Sequence, residues 1–569
     1  MTAMDRRAFV KAAALATAST ALTAPTAVPA WATDPRWRSR ERAADWVLRG
    51  ATVYDGTGRP PVQADVAIAG DRIEAVGPRL AAAGAQEVDL RGLALAPGFM
   101  DIHSHSDLVL LVDPNAQSKV RQGVTTEVVG QDGGSVGPWG NVQFEETRDS
   151  YRSRYGVEID FRDLAGYFAH LRRQGPAVNV ASMVGHGTLH SFAVGGSGRP
   201  ATEAERARMT ALVTDALKAG ACGVSSGLEY LPGAFADLEE LAAVAAPLKG
   251  PGLPYATHMR NEDDQSLAAI EETLNVGRKS GAAVHISHLK AQGERNWWKA
   301  PLMLELFERA RAGGLDVTYD CYPYVAYATG LSNMFPVWAR EGGTNAFLAR
   351  LKDPSQGERI KAQVLDKVNQ LGNWDAVQIS NTGSDSLAWA RGKRLGQLAA
   401  ERGQDPYALL VMIVEQDRNR SGMVGFGMSE ENVGLFLAHP LGMICSDGSA
   451  LTTEGALARG TPHPRNYGTF PRVLGRYGRE RKVLPLEAAI HKMTGQPAAR
   501  LKLAGRGTIT PGGFADLVAF DPGRVADQAT FERPHQYPEG IPHVMVNGQW
   551  VMRDGAHTGA TPGHVVTPT

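Results

Sequence analysis

Two histidines separated by one residue, His103 and His105, form the part of the sequence best suited to metal chemistry. They close the run Pro97-Gly98-Phe99-Met100-Asp101-Ile102-His103-Ser104-His105. Apolar residues precede the pair, which predicts the end of a strand, and side chains at i and i+2 of a strand share one face. Two imidazoles that converge in this way suit Zn²⁺ or a similar borderline ion.

Three more residues with metal-binding side chains also end predicted strands. His258 ends Tyr255-Ala256-Thr257-His258, His288 ends Val284-His285-Ile286-Ser287-His288, and Asp447 ends Met443-Ile444-Cys445-Ser446-Asp447. Barrel enzymes keep their sites at the carboxyl ends of their strands. We therefore expect four histidines and Asp447 to share one site. His285 lies on the opposite face of its strand from His288, and we expect it to pack behind the site.

The elements between these residues alternate between helix and strand. Thr202-Glu203-Ala204-Glu205 predicts a capped helix start and Gly220 its end. Further helices are predicted over about 237–248, 265–279 and 301–312, with strands over about 222–225, 254–259, 283–289 and 315–320. Such parallel βαβ units favour an α/β fold with a (β/α)8 barrel over 99–505. A doubly wound sheet is the alternative, disfavoured because no Gly-rich phosphate loop follows the first strand.

The two ends of the mature chain are rich in strand patterns. Val47–Val53 and Asp65–Ala69 are predicted strands, and the second leads into a Gly70-Asp71 turn. Near the other end, Ala515–Phe520 and Val544–Val551 repeat this pattern. We predict a small β-sandwich built from 45–98 and 506–569. The alternation of strands and helices is interrupted over about 326–370, which predicts an insertion over the barrel mouth.

The first residues predict export. Asp5-Arg6-Arg7-Ala8-Phe9-Val10-Lys11 resembles a twin-arginine signal, and Ala30-Trp31-Ala32 fits a cleavage site, so 1–32 is predicted to be a signal peptide. The expected location is periplasmic or secreted, and an uncleaved anchor is the alternative. The mature chain lacks a run of 18 apolar residues, so we expect no membrane span. Three cysteines cannot form a disulfide framework.

The charge balance argues against a partner recognised by bulk electrostatics. Lysine and arginine number 59 and aspartate and glutamate 60, a formal net charge of -1, without long basic or acidic runs. We therefore expect no nucleic-acid partner and a small molecule as the ligand.

With these strand-end histidines and the motifs around them, the chain resembles a known family, the amidohydrolase superfamily, and within it the D-aminoacylase (N-acyl-D-amino-acid deacylase) branch. The resemblance covers nearly the whole mature chain. It rests on the His103 motif and on six further runs: Arg121-Gln122-Gly123-Val124-Thr125-Thr126, Val184-Gly185-His186-Gly187-Thr188-Leu189, Ser225-Ser226-Gly227-Leu228-Glu229-Tyr230, Thr257-His258-Met259-Arg260, Ile286-Ser287-His288-Leu289-Lys290 and His463-Pro464-Arg465-Asn466-Tyr467-Gly468-Thr469-Phe470-Pro471. The tail around Pro511-Gly512-Gly513-Phe514-Ala515-Asp516 is common to the superfamily.

The resemblance implies a site with one or two Zn²⁺ ions at the barrel mouth, held by His103, His105, His258 and His288. Asp447 would be both a metal ligand and the proton shuttle. Lys290 and a tyrosine, Tyr322 or Tyr324, would hold the substrate carboxylate. Arg260 is a further candidate for that role, with a structural salt bridge as the alternative.

One position departs from the family. D-aminoacylases usually carry Gly-Asn-Cys-Gly where this chain has Gly130-Gln131-Asp132-Gly133, and the cysteine is a metal ligand. Asp132 is therefore predicted to replace the thiolate. A carboxylate can bridge two hard or borderline ions, so the departure leaves the metal count and preference open.

The function implied is metal-dependent hydrolysis of the amide bond of an N-acyl amino acid, above all an N-acyl-D-amino acid, releasing a carboxylic acid and a free amino acid. Dipeptide hydrolysis and cyclic-amide hydrolysis of the hydantoinase or dihydroorotase kind are alternatives within the class. A solute-binding barrel without chemistry is the alternative outside it. The lysine and tyrosine candidates favour a substrate with a free carboxylate.

Overall fold

The computed structural model describes residues 43–569, so the expected signal peptide lies outside the described residues. The strands are β1 (Trp46–Val53), β2 (Val62–Ala69), β3 (Arg72–Gly77), β4 (Gln86–Asp89), β5 (Ala94–Pro97), β6 (Phe99–Asp101), β7 (Val124–Val129), β8 (Asn179–Ser182), β9 (Val184–Gly185), β10 (Val224–Gly227), β11 (Pro254–His258), β12 (Ala283–Ile286), β13 (Val317–Cys321), β14 (Tyr327–Gly330), β15 (Val377–Asn381), β16 (Gly422–Gly425), β17 (Gly442–Ile444), β18 (Leu517–Phe520), β19 (His543–Val546), β20 (Gln549–Arg553) and β21 (Ala556–His557).

The α-helices are α1 (Val109–Val112), α2 (Gln117–Val120), α3 (Asn141–Tyr155), α4 (Leu164–Gln174), α5 (His186–Ala193), α6 (Glu203–Ala219), α7 (Leu238–Ala245), α8 (Ser266–Ser280), α9 (Ala300–Ala312), α10 (Val337–Arg340), α11 (Gly343–Lys352), α12 (Pro354–Leu371), α13 (Leu395–Arg402), α14 (Pro406–Gln416), α15 (Glu430–Ala438), α16 (Arg465–Arg472), α17 (Leu486–Met493) and α18 (Gly495–Arg500).

A closed parallel barrel forms the centre of the described chain. β6, β7 and β8 pair in parallel, and β9, β10, β11, β12, β13 and β17 continue in parallel order. β9 follows β8 after a single residue, so the two occupy one position of the barrel. A parallel bridge between Ser104 and Gly448 joins β6 to β17 and closes the ring. The (β/α)8 prediction is confirmed, and the doubly wound alternative is excluded because the sheet has no open edge here.

The ends of α6, one of the helices around the barrel, are fixed by local hydrogen bonds and by a glycine. In α6 the Thr202 side chain accepts from the Glu205 backbone N–H, and the Glu205 side chain accepts from the Thr202 N–H. This reciprocal pair satisfies two of the backbone donors that a helix start leaves free. Gly220, with φ 109°, ends the helix in the left-handed region that glycine adopts without a steric penalty.

Strands from both ends of the described chain form one continuous sheet. Its order is β21-β20-β19-β18-β5-β1-β2-β3, and β4 pairs with β1. The antiparallel pairing of β5 with β18 joins the two halves, with Leu95 opposite Ala519. Because β6 follows β5 after one residue, this sheet anchors the strand that carries the first two histidines.

The inserted unit is longer than the sequence indicated. An antiparallel sheet of β14, β16 and β15 lies with α10 to α14 between β13 and α15. It has its own apolar core, which runs from Leu331 to Met423. The predicted limits of about 326–370 therefore miss its second half. In the described part of the chain, no helix combines the length and apolar character that crossing a membrane requires.

Candidate metal centre

The carboxyl ends of the barrel strands bring the six predicted metal-binding residues together. His103 and His105 follow β6, Asp132 follows β7, His258 ends β11, His288 follows β12 and Asp447 follows β17. All of them are buried except His105 and Asp132, which are partly buried.

The Asp132 carboxylate lies at the middle of this group. Its Oδ1 is 3.4 Å from Nε2 of His103 and 3.4 Å from Nε2 of His288. Its Oδ2 is 3.5 Å from Nε2 of His105 and 3.9 Å from Nδ1 of His258. Each oxygen therefore faces two histidines. Asp132 would therefore be able to hold a metal ion together with these histidines.

Three of these residues have left-handed backbone conformations that side chains other than glycine rarely adopt. The φ angles are 53° at Asp132, 35° at His288 and 50° at Asp447. Residues in this region cluster at functional sites, where the surrounding structure must enforce them.

Close backbone packing enforces the conformation of Asp132. The Ser225 hydroxyl accepts from the Gly133 N–H (3.1 Å) and donates to the Gly130 carbonyl (2.6 Å), so it brackets Asp132 from both sides. A side chain at Gly227 would lie 2.1 Å from the Asp132 carbonyl oxygen. Gly227 is therefore needed for this close approach.

The buried polar atoms of this group fit a bound cation. Nε2 of His103 and Oδ1 of Asp132, 3.4 Å apart, are buried and have no hydrogen-bond partner among the described residues. Buried polar atoms are almost always satisfied, so unsatisfied ones that converge on one point call for a ligand. His103, Asp132, His288 and Asp447 offer donor atoms within 4.8 Å of one another. Imidazole and carboxylate donors suit Zn²⁺.

Carboxylates behind two of the histidines set the orientation of the rings. Nε2 of His258 is 3.4 Å from Oε2 of Glu229, and Nδ1 of His288 is 3.0 Å from Oε1 of Glu262. Such partners fix which ring nitrogen keeps its proton and leave the other free to bind a metal. Glu262 was not recognised from the sequence, because it lies in a loop without strand or helix pattern.

Asp320 supports two further histidines from below the site. Its Oδ2 is 2.7 Å from Nε2 of His285 and 3.8 Å from Nδ1 of His103. Its Oδ1 accepts from the backbone N–H of His288. His285 thus lies behind the site, where its position on the strand predicted it.

Arg465 pairs with the predicted catalytic residue, and sequence reasoning missed it. Its Nη1 is 2.7 Å from Oδ2 of Asp447, whose Oδ1 is 3.0 Å from Nε2 of His105. Burial alone would raise the pKa of Asp447, but Arg465 and the histidines outweigh it and hold that pKa below its usual range. Asp447 is therefore ionised, as a proton acceptor must be.

A cavity of about 340 Å³ opens at this centre. Its wall includes His105, Asp132, His258, His288 and Asp447, and also the predicted carboxylate-binding residues Lys290 and Tyr322. Lys290 Nζ lies 5.7 Å and the Arg465 guanidinium 5.0 Å from the Tyr322 ring centroid. Two cations and a phenol are thus grouped beside the metal-binding residues.

Two predicted substrate-binding residues do not line this cavity. The Arg260 guanidinium binds both carboxylate oxygens of Glu272 and donates to the carbonyls of Ala234 and Ala236. Its guanidinium is thus engaged in the structural salt bridge and these two carbonyl contacts, and Arg260 lines a neighbouring cavity rather than this one. Tyr324 is buried against His463 and Phe531, so Tyr322 alone of the two tyrosines reaches the cavity.

Known proteins resemble the chain in sequence and in structure. The sequence profile of the amidohydrolase family matches residues 86–552. D-aminoacylase from Alcaligenes xylosoxydans xylosoxydans is 38% identical over 94% of this chain and 99% of its own length. N-acyl-D-aspartate deacylase from the same organism is 38% identical over 92% and 95%. The crystal structure of N-acyl-D-glutamate deacylase from Bordetella bronchiseptica, complexed with zinc and a phosphonate inhibitor, matches with a TM-score of 0.78 and 33% identity, covering 92% of this chain and 100% of that one.

The closed barrel and its cluster of histidines and carboxylates define a metal-dependent hydrolase. Within that class the extent of the match is decisive: the chain belongs to the amidohydrolase family, and its closely matching relatives are deacylases of N-acyl-D-amino acids.

Proposed function

We propose that this protein hydrolyses the amide bond of N-acyl-D-amino acids and uses one or two Zn²⁺ ions. The observation that carries the proposal is the juxtaposition of two parts of one cavity. Asp132 lies between four histidines, and Lys290, Tyr322 and Arg465 form a cationic group next to them. The first part suits amide hydrolysis, and the second suits the free carboxylate that an N-acyl amino acid carries. The D configuration is supported by the relatives alone.

His103, His105, His258, His288, Asp132 and Asp447 would hold the metal. A zinc ion bound there polarises the scissile carbonyl and makes water acidic enough to react near neutral pH. Lys290, the Tyr322 hydroxyl and Arg465 would fix the substrate carboxylate and so orient the amide towards Asp447.

Asp447 moves the proton. Its ionised carboxylate accepts a proton from the attacking water and then gives it to the nitrogen of the departing amino acid. His105 and Arg465, in contact with its two oxygens, keep the carboxylate in place between these two steps.

The alternatives differ in what the cavity must recognise. A cyclic amide has no free carboxylate, so it leaves Lys290 and Arg465 without a role. A dipeptide has one, together with an ammonium group at its other end. Dipeptide hydrolysis is therefore the second candidate, which the Glu229 carboxylate in the cavity wall favours.

The test is a panel of N-acetyl-D- and N-acetyl-L-amino acids assayed with the purified enzyme, together with metal analysis. We expect hydrolysis of D substrates, its loss after chelation and its return with zinc. Hydrolysis at an undiminished rate by metal-free protein would overturn the proposal, as would activity confined to hydantoins.

We also propose export by the twin-arginine route. The proposal is supported by Arg6-Arg7-Ala8-Phe9 and by Ala30-Trp31-Ala32. Cell fractionation compares the full chain with its Arg6→Lys, Arg7→Lys variant. The variant should remain in the cytoplasm with the signal uncleaved, and equal export of both would contradict the proposal.

A further inference from the structure

A second cavity borders the catalytic one. The second cavity has a volume of about 470 Å³, and the inserted unit supplies much of its wall, including Met334 to Val337 and several side chains of α12. Glu229, Asn333 and Lys367 line both cavities.

The cations of the catalytic cavity already have carboxylate partners. Lys290 pairs with Glu262 at 2.6 Å, Lys367 with Asp263 at 2.7 Å and Arg465 with Asp447 at 2.7 Å. Arg340 lines only the second cavity, where its Nη atoms donate to the Asn333 side chain and to the Glu229 carbonyl oxygen.

Glu229 is the exception among the acids. Within residues 43–569, no lysine or arginine lies at ion-pair distance from its carboxylate, and the one nitrogen at that distance is Nε2 of His258 at 3.4 Å. Lys367 and Arg340 act on the carboxylate charge only from farther away, and each has closer partners of its own. His258 offers this carboxylate one long hydrogen bond, and no guanidinium or ammonium group makes a direct contact with it. The Glu229 side chain is only 17% exposed, so water screens it incompletely.

We infer that Glu229 selects substrates with a positively charged amine, and this inference rests on the proposed deacylase function. The amine is carried either by the side chain of the D-amino acid or by the acyl group, because both branch from the scissile amide. Acidic substrates are disfavoured by like-charge repulsion in a poorly screened cavity. The chain would thus differ in specificity from its relatives named for D-aspartate and D-glutamate.

Matched substrates separate the two sources of the amine. N-acetyl-D-lysine, N-acetyl-D-norleucine and N-acetyl-D-glutamate vary the side-chain charge. Glycyl-D-norleucine and N-propionyl-D-norleucine have acyl groups of the same size, and only the first carries an ammonium group. With zinc-loaded enzyme, we expect one of two preferences. Either N-acetyl-D-lysine has a kcat/KM about tenfold or more above that of N-acetyl-D-norleucine, or glycyl-D-norleucine exceeds N-propionyl-D-norleucine by the same factor.

Two variants test whether Glu229 causes the preference. Glu229→Gln should reduce the cationic-to-neutral ratio to about one, and Glu229→Asp should keep part of it. Tyr327→Phe, which removes an uncharged group from the same cavity wall, should keep the ratio in full. A merely supporting role behind His258 would lower all rates together and leave the ratio unchanged.

The outcomes are distinct. If neutral N-acyl-D-amino acids are hydrolysed but neither cationic substrate is preferred, the inference is wrong and the proposed function stands. The same holds if Glu229→Gln retains the ratio. If no N-acyl-D-amino acid is hydrolysed, the proposed function fails and the inference fails with it.

Discussion

Arg465 and Asp447 form a buried ion pair, 2.7 Å between Nη1 and Oδ2, at the point where the proposed reaction needs an ionised carboxylate. A loop separates Asp447, which follows a barrel strand, from Arg465, which begins α16. The pair therefore couples a proton acceptor to a residue that also faces the substrate cavity.

Removing the guanidinium should make Asp447 easier to protonate. A nearby cation stabilises the carboxylate, so its loss raises the pKa of Asp447, and the acid limb of the pH–rate profile should move to higher pH in Arg465→Gln. Arg472→Gln is the control, since Arg472 lies on the same helix but pairs with Asp527. Identical acid limbs in wild type and Arg465→Gln would contradict this role.

Asp447→Asn separates proton transfer from metal binding. Asparagine keeps the shape and one oxygen, but it cannot accept the proton. We expect most of the metal to remain while kcat falls at least ~10²-fold, the usual scale for loss of a general base. Metal analysis and steady-state kinetics decide between the roles. A variant with near-normal kcat but little zinc would make Asp447 a ligand only.

Asp132 should determine how much metal the protein holds. Asp132→Ala removes the carboxylate that faces all four histidines, so metal content measured by mass spectrometry should fall with activity. Asp132→Cys should restore binding and shift preference to softer ions. Asp149→Ala, with a side chain 61% exposed, is the control. Full metal content in Asp132→Ala would show that Asp132 is only a loop residue.

Lys290 and Arg260 should behave differently although both were candidates for carboxylate binding. Lys290→Met removes a cation from the cavity wall and should raise KM about tenfold or more, with kcat less affected. Arg260→Met should leave KM unchanged and lower Tm by a few °C through loss of its hydrogen bonds to the Ala234 and Ala236 carbonyls. Equal KM effects in the two variants would reverse this assignment.

Glu240 should make stability depend on pH. Burial raises its pKa, but hydrogen bonds from His186 and His190 outweigh this and lower the pKa below its ordinary value. A depressed pKa in the folded state gives stability that is present above the unfolded value of about 4.3 and is lost as pH falls below it.

Thermal unfolding of Glu240→Gln measures this contribution. The variant should be less stable by about 2 kcal/mol at pH 7, the scale of hydrogen bonds to a buried charge. The difference from wild type should hold down to about pH 4 and shrink as the pH falls further. A difference that stayed constant would show that the carboxylate charge contributes nothing.

The sequence predicted the barrel because its signals are local. The Thr202–Glu205 capping box and the strands leading to His258 and His288 were placed from short patterns. The structure has the capping box there, β11 ends at His258, and β12 ends two residues before His288. β16, by contrast, is a Gly422–Gly425 strand without alternating apolar residues, so the second half of the inserted unit gave no signal.

The contacts between distant loops could not be predicted in the same way. Arg465 was visible in a family motif, but its pairing with Asp447 depends on how the chain returns from the intervening loop. Arg260 is paired with Glu272 of α8, a partner that the sequence did not identify. Such pairings are set by tertiary structure, which spacing along the chain does not encode.

The pairing of β5 with β18 has a consequence for how the protein is made. Leu95 of β5 lies opposite Ala519 of β18. The two strands can therefore pair only after almost the whole chain has left the ribosome. Until then β5 has an open hydrogen-bonding edge, and such edges invite pairing with other nascent chains. Non-local pairings of this kind also slow folding. Completion of the sheet, which anchors the first two histidines, must therefore come late in synthesis, and the chain is exposed to intermolecular strand pairing until then.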